Sequence, residues 1–189
     1  HGLAPRRVLV AFSGGPDSTL LLACCLDIWA RRRVAAVHVH HGWHDDADAW
    51  SAHCRRQARA LGSQCEVVHV DARPRCGEGA EAAARSARYG ALAERMQPGD
   101  VLLTGHHRDD QAETLLLALL RGGGLHGWAG MPELRSLGAG THLRPWLGVA
   151  RDTIVEALRQ RDLAYIEDPA NADPSFDRWL ELLASRDRR

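Results

Sequence analysis

Apolar runs of strand length alternate with longer stretches of helical periodicity from one end of the 189-residue chain to the other. The runs fall at 7–12, 34–40, 65–70 and 101–104, with a weaker one at 141–146, and each predicts a strand. Between them the pattern predicts helices over 17–30, 46–61, 79–96, 111–120 and 150–163, and Ala83, Ala87, Ala91 and Met96 mark one face of the third. Strands that are apolar throughout, separated by helices, predict an α/β fold: a parallel sheet flanked by helices on both faces. Two glycine groups, at 122–124 and 138–140, bracket a region expected to be loop-rich and mobile.

Composition removes several kinds of chemistry. The 24 basic residues are all arginine, so a lysine Schiff base, a lysine nucleophile and the G-x-x-x-x-G-K-S/T phosphate loop are excluded. They balance 24 acidic residues, which leaves no overall field to attract nucleic acid; such a partner would have to be held by local arginine clusters. Cys24, Cys25, Cys54, Cys65 and Cys76 include no C-x-x-C pair and read as reduced thiols of a cytoplasmic protein. No apolar run approaches the roughly 20 residues that span a bilayer, so no membrane partner is expected.

In parallel sheets, ligands bind beyond the carboxyl ends of the strands, and the unusual residues cluster there. After the first run come Ser13, Gly14, Gly15, Pro16, Asp17 and Ser18. Glycines let backbone N–H groups approach an anion, and the helix that follows adds its own N–H groups and positive dipole end. Asp17 would repel phosphates unless a Mg2+ ion bridged the two. The plain alternative is a tight strand–helix turn with Ser13 or Asp17 as the cap. After the fourth run comes TGHHRDDQAET, in which Asp110 and Glu113 share a face of the first helical turn. Acidic residues at a helix start are ordinary dipole partners. Two histidines, an arginine and three carboxylates together suggest more: a metal, zinc through His106 or His107 being one option, or a cationic substrate group. In GAEAAARSARY, the trio Glu81, Arg85 and Arg88 reads first as an ion-paired face, with an arginine fork for a triphosphate as the alternative. His38 and His40 share a strand face and read as packing, and Trp29, Trp50 and Trp179 fit helix cores.

Taken in order, SGGPDS, HVHHG, EAAARSARY, TGHHRDDQAET, LRGGGLHGWAGM, LRPWL and IEDPANADPSF resemble the tRNA(Ile)-lysidine synthetases over about residues 6–176. These are N-type ATP pyrophosphatases with an adenine nucleotide alpha hydrolase-like fold. The resemblance implies that ATP adenylates the C2 oxygen of the wobble cytidine of tRNA(Ile) with a CAU anticodon, and that free lysine then displaces AMP to give lysidine. It assigns Ser13, Gly14, Gly15, Pro16, Ser18 and Arg85 to ATP, Asp17 to Mg2+, and Asp110 and Glu113 to the lysine amine, with His106 beside them. A paired-carboxylate pocket suits that task, since lysine arrives as a cation and must attack as a neutral amine.

The sequence departs from the family pattern where tryptophans stand at 43, 128 and 179. Residues 1–168 are expected to form the catalytic domain and 169–189 a helical tail, without the further tRNA-gripping domains common in the family; two chains could pair as a homodimer. Competing expectations are another enzyme of the superfamily, such as a tRNA thiolase, a nucleotide-binding domain with lost or reduced turnover, and a metal-dependent hydrolase built on His106, His107 and Asp110.

Overall fold

The computed structural model describes residues 4–42, 47–74, 79–120 and 129–166, with Glu81 described in its backbone alone. Six strands, β1 (Arg7–Ala11), β2 (Val34–His40), β3 (Cys65–His69), β4 (Asp100–Leu103), β5 (Leu134–Leu137) and β6 (Gly140–Leu143), form one sheet in the order β3-β2-β1-β4-β6-β5. The helices are α1 (Pro16–Ile28), α2 (Ala47–Leu61), α3 (Ala80–Glu94), α4 (Arg108–Leu120) and α5 (Arg151–Gln160).

Period-two alternation assigns the faces. Val8, Val10 and Phe12 join Val34, Ala36, Val101 and Leu103 on one side, against Leu21, Leu22 and Cys25 of α1 and Cys54 and Ala58 of α2. Leu9, Val37, Val68 and Leu102 face the other side, against Ala91 and Leu92 of α3 and Met96 just beyond it. Right-handed crossovers account for this division. The chain moves one way through β1, β2 and β3, placing α1 and α2 on one face, then doubles back to β4 and must place α3 on the other. A third cluster joins Leu20 of α1 to Ile154 and Leu158 of α5. With the sheet on one side and α5 on the other, α1 is largely buried all round along its apolar run 20–26, as that unbroken run requires.

Three expectations need correction. The sheet is not wholly parallel, because β5 runs antiparallel to β6 at its edge. That strand lies in the region expected to be a mobile loop; Gly138, with φ of +54°, makes the tight turn between the two strands. The weak run at 141–146 keeps strand form only to Leu143, with Trp146 adding an isolated bridge to His107. Third, α4 begins at Arg108 rather than 111, so Asp109 and Asp110 lie within its first turn. Four of the cysteines, Cys24, Cys25, Cys54 and Cys65, are free thiols, and Cys76 lies outside the described residues. Trp43, Trp128 and Trp179, the expected tail and the DPANADPSF stretch also lie outside them. No helix among the described residues is long and apolar enough to cross a membrane.

Candidate active site at the strand-order reversal

Strand order reverses between β1 and β4, and the loops leaving these neighbours meet there. From β1 comes the segment 13–18. Gly14 adopts φ of +80°, and a Cβ on it would meet Cys54 Sγ and Gln57 Oε1 at 3.2 Å. The Ser18 hydroxyl accepts from Ser13 N–H and donates to the Gly15 carbonyl, each at 3.2 Å, and so closes the loop on itself. No side chain caps the first turn of α1, although Pro16 opens it. Neither Ser13 nor Asp17 therefore acts as the cap considered from the sequence, and the helix dipole faces the loop uncapped.

The loop is fastened from outside. Trp50 donates its indole N–H to the Ser13 carbonyl at 2.6 Å, so this tryptophan serves the loop as well as the core it partly fills. Ile166 N–H donates to the Gly14 carbonyl at 3.1 Å, while the Gln57 amide donates to Thr19 Oγ1 and the Ala164 carbonyl. The chain entering the IEDPANADPSF motif thus runs beside the glycine loop.

From β4 comes the second loop. A Cβ on Gly105 would crowd Asp17, lying 3.0 Å from its Cβ and 3.1 Å from its carbonyl carbon, so the glycine lets the two loops approach closely. His107 then caps α4. Its Nδ1 accepts from Asp109 N–H at 3.2 Å, and Asp110 Oδ2 accepts from His107 N–H at 2.8 Å, a reciprocal capping box with histidine as its first member. The proton of a neutral His107 then sits on Nε2, 3.8 Å from Asp17 Oδ1 and too far for a hydrogen bond. Asp109 Oδ2 accepts from Arg151 N–H at the start of α5. Three helix N-termini, those of α1, α4 and α5, are thereby tied to one small region.

Asp17 is the exceptional group. Its Oδ1 is buried without a hydrogen-bond partner, and burial pushes its pKa above the usual carboxylate range. Arg151, and His107 when it is protonated, pull it back down, and the Asp110 carboxylate pushes it up. A buried, unpaired carboxylate oxygen is the hard ligand that Mg2+ prefers. Among the described residues no three or more His, Cys, Asp or Glu side chains converge to hold a metal on their own. That donor set fits Mg2+ held by a single carboxylate and completed by phosphates and water, which is how this ion commonly binds; it does not fit zinc.

The remaining expected site residues sit as follows. His106 is half-buried, and burial together with Arg144, Arg85, Arg88 and His107 pushes its pKa down to about 3. Arg85 is exposed on α3, with its guanidinium 5.2 Å from the centre of the Tyr89 ring, and its charge reaches His106. Glu113 lies exposed one turn along α4 from Asp110. His38 is buried, with Nδ1 2.9 Å from the Phe12 carbonyl, whereas His40 pairs with Asp48 at 3.1 Å. Gln111, within the same motif, clamps Met131 by a two-way amide bond: its Nε2 donates to the Met131 carbonyl at 2.9 Å, and Met131 N–H donates to Oε1 at 2.7 Å. Sequence reasoning gave no site role to Gly105, Trp50, His142 or Arg144. The last two come from the LRPWL neighbourhood, whose arginine was a visible signal.

A family model described as a PP-loop domain matches residues 2–180. Among curated relatives, the tRNA(Ile)-lysidine synthase of Alkalilimnicola ehrlichii is 52% identical over 174 residues, covering 90% of this chain and 39% of its own length. That of Pseudomonas syringae pv. tomato is 50% identical over 185 residues, covering 94% and 41%. The chain therefore spans about 40% of the length of these relatives. Of solved structures, the U34-tRNA thiolase NcsA from Methanococcus maripaludis superposes with a TM-score of 0.63 at 18% identity, over 85% of this chain and 58% of that one. A glutamine-dependent NAD+ synthetase from Acinetobacter baumannii gives 0.54 at 19% identity, over 84% and 29%. At those identities the two structures speak for the fold alone, an N-type ATP pyrophosphatase fold. With the family model spanning nearly its full length and the glycine loop set at the strand-order reversal, this chain belongs to the PP-loop domain family.

Proposed function

We propose that this chain is the ATP-using part of a tRNA(Ile)-lysidine synthase, working in the cytoplasm. It would adenylate the C2 oxygen of the wobble cytidine of tRNA(Ile) with a CAU anticodon and release pyrophosphate. The amine of free lysine would then displace AMP. In this reading Ser13, Gly14, Gly15, Pro16 and Ser18 receive the phosphates, and Arg85 reaches the nucleotide. Asp110 and Glu113 draw in the lysine ammonium and take its proton. Mg2+, held by Asp17, would offset charge on the phosphates. The observation that carries the reading is Asp17 Oδ1, buried and unpartnered between an uncapped helix start and an acidic helix turn. The half-identical relatives named as lysidine synthases supply the tRNA and the product.

The test is incubation with ATP, radiolabelled lysine and unmodified tRNA(Ile), scored for label in the tRNA, with ATP affinity measured alongside. Asp17→Ala should abolish Mg2+-dependent ATP binding, and Glu113→Gln should lower lysine use by at least tenfold while leaving ATP affinity within twofold. Equal loss of both in Glu113→Gln would make Glu113 structural. No label transfer with ATP binding intact would favour a nucleotide-binding domain without turnover.

A further inference from the structure

Behind His106 lies a run of hydrogen bonds whose direction is fixed at its far end. Arg135 of β5 and His142 of β6 are cross-strand partners, and Arg135 Nε–H donates to His142 Nδ1 at 3.1 Å. An arginine is always a donor, so that nitrogen of His142 must be the acceptor. His142 is fully buried, and its pKa is pushed down to about 3 by burial, then Arg144 and Arg135, so the ring is neutral and its one proton sits on Nε2. That Nε2 lies 2.9 Å from Thr104 Oγ1 and donates to it. The Thr104 hydroxyl is buried and has one hydrogen of its own; 2.7 Å away is His106 Nδ1. A buried hydroxyl hydrogen requires an acceptor, so His106 Nδ1 accepts.

We propose that Arg135, His142 and Thr104 form a one-way hydrogen-bond relay that fixes His106 as the neutral tautomer with its proton on Nε2, making it a donor to a phosphate oxygen of the nucleotide and barring it from acting as the base. Arg135, His142 and Thr104 are positioning residues in this scheme, since they act through His106. Two features brace the relay. The Tyr89 ring stacks at a tilt on His142 with centroids 5.5 Å apart, and the Arg135 guanidinium lies 4.8 Å from the Tyr89 centroid. The Thr104 N–H is bound to the Leu143 carbonyl at 3.2 Å, which locks β4 to β6 at this level. A consequence follows for the chemistry. A His106 whose Nδ1 is occupied by a donor and whose Nε2 carries a proton has no site left to take one, so proton removal from an attacking amine falls to the carboxylates.

The scheme rests on the proposed function only for what His106 touches; the tautomer is a property of the chain alone. Long-range proton–nitrogen correlation spectra of the chain labelled with 15N-histidine read it directly. The wild-type chain at neutral pH should show the Nε2–H pattern at both His106 and His142. Thr104→Val should abolish that single pattern at His106 while leaving His142 neutral, and Thr104→Ser should restore it. An Nδ1–H tautomer or an imidazolium at His106 in the wild type overturns the relay, as does an unchanged His106 pattern in Thr104→Val or a failure of Thr104→Ser to restore it. Should Thr104→Val not fold, the wild-type spectrum and Thr104→Ser decide the matter. Addition of MgATP should then shift the His106 Nε2–H resonance without changing the tautomer. If ATP does not bind while the tautomer stands, the proposed function fails and the relay does not. If ATP binds and the tautomer is wrong, the relay fails alone. If ATP binds without moving that resonance, the donor role of His106 is overturned.

Discussion

Two carboxylates with buried oxygens sit at opposite ends of the same pair of neighbouring strands, and the chain treats them differently. Asp100 opens β4 at the end away from the glycine loop. Its side chain is 1% exposed; Arg7 Nη2 and Nε donate to Oδ2 at 2.7 and 3.2 Å, and Gln97 N–H donates to it at 2.9 Å. Asp17, beyond the other end of β1, keeps a side chain 29% exposed and an oxygen with no partner. Every partner Asp100 uses is supplied by the fold, so its place is structural. A buried polar atom left unsatisfied needs another explanation, and the proposed function offers one: a ligand bound at the strand-order reversal.

The contrast breaks most readily on stability. Asp100→Ala leaves the Arg7 guanidinium and the Gln97 N–H without their acceptor. Breaking a buried pair typically costs about 3–5 kcal/mol, and the partial exposure of Arg7 sets the expected loss at about 3 kcal/mol. Urea denaturation measures it, and a loss below about 1 kcal/mol would make Asp100 no more structural than Asp17. The second prediction concerns pH and the histidines of the ligand end. Burial, and after it the charges of Arg144, Arg135, His106 and Arg85, push the folded His142 ring from its ordinary 6.5 down to about 3. As pH falls below 6.5 the unfolded chain takes up a proton that the folded chain refuses, so stability drops with falling pH through that window. Between pH 6.5 and about pH 5 this one group costs about 1.5 kcal/mol. His142→Phe should show a stability–pH profile flatter by that amount, whatever its absolute stability. An unchanged profile would show that His142 is not held neutral.

Much of this fold is legible in the sequence alone. Continuous apolar strands, helix periodicity and glycines at strand ends carry direct physical consequences, so β1 to β4 and the glycine loop appeared where the pattern placed them. What escaped was whatever depends on two distant segments meeting. Leu134–Leu137 is a short edge strand whose positions alternate between exposed and half-buried, too weak a pattern to separate from a loop without the β6 partner that pairs it. Trp50 looked like a core residue because its helix is amphipathic; that its N–H also holds Ser13 follows only from where β1 ends. The acidic turn after β4 was visible as a cluster, yet sequence could not divide it. In the fold Asp110 closes a capping box and Asp109 ties down α5, so part of what resembled ligand chemistry is local helix chemistry. His106 was visible too, but the three residues behind it lie on three separate strand ends or edges.

The smallest effect is the one that separates the two aspartates most cleanly. Asp17→Asn removes a carboxylate whose ionised form the fold disfavours by burial and by the neighbouring Asp110 charge. Without ligand the variant should therefore be at least as stable as the wild type at pH 7, in contrast to the loss expected for Asp100→Ala. Saturating MgATP should reverse the order. A ligand that binds only the folded chain stabilises it by about 2.7 kcal/mol at a hundred times its Kd, and the wild type alone should gain this. Thermal melts with and without MgATP test both halves. If Asp17→Asn destabilises the unliganded chain by as much as Asp100→Ala, Asp17 is satisfied by the fold after all. If the variant gains from MgATP as the wild type does, the unpartnered oxygen has some other purpose than the ion. Only a neutral or stabilised variant that MgATP fails to rescue is consistent with a carboxylate kept unpaired for a partner that arrives with the substrate.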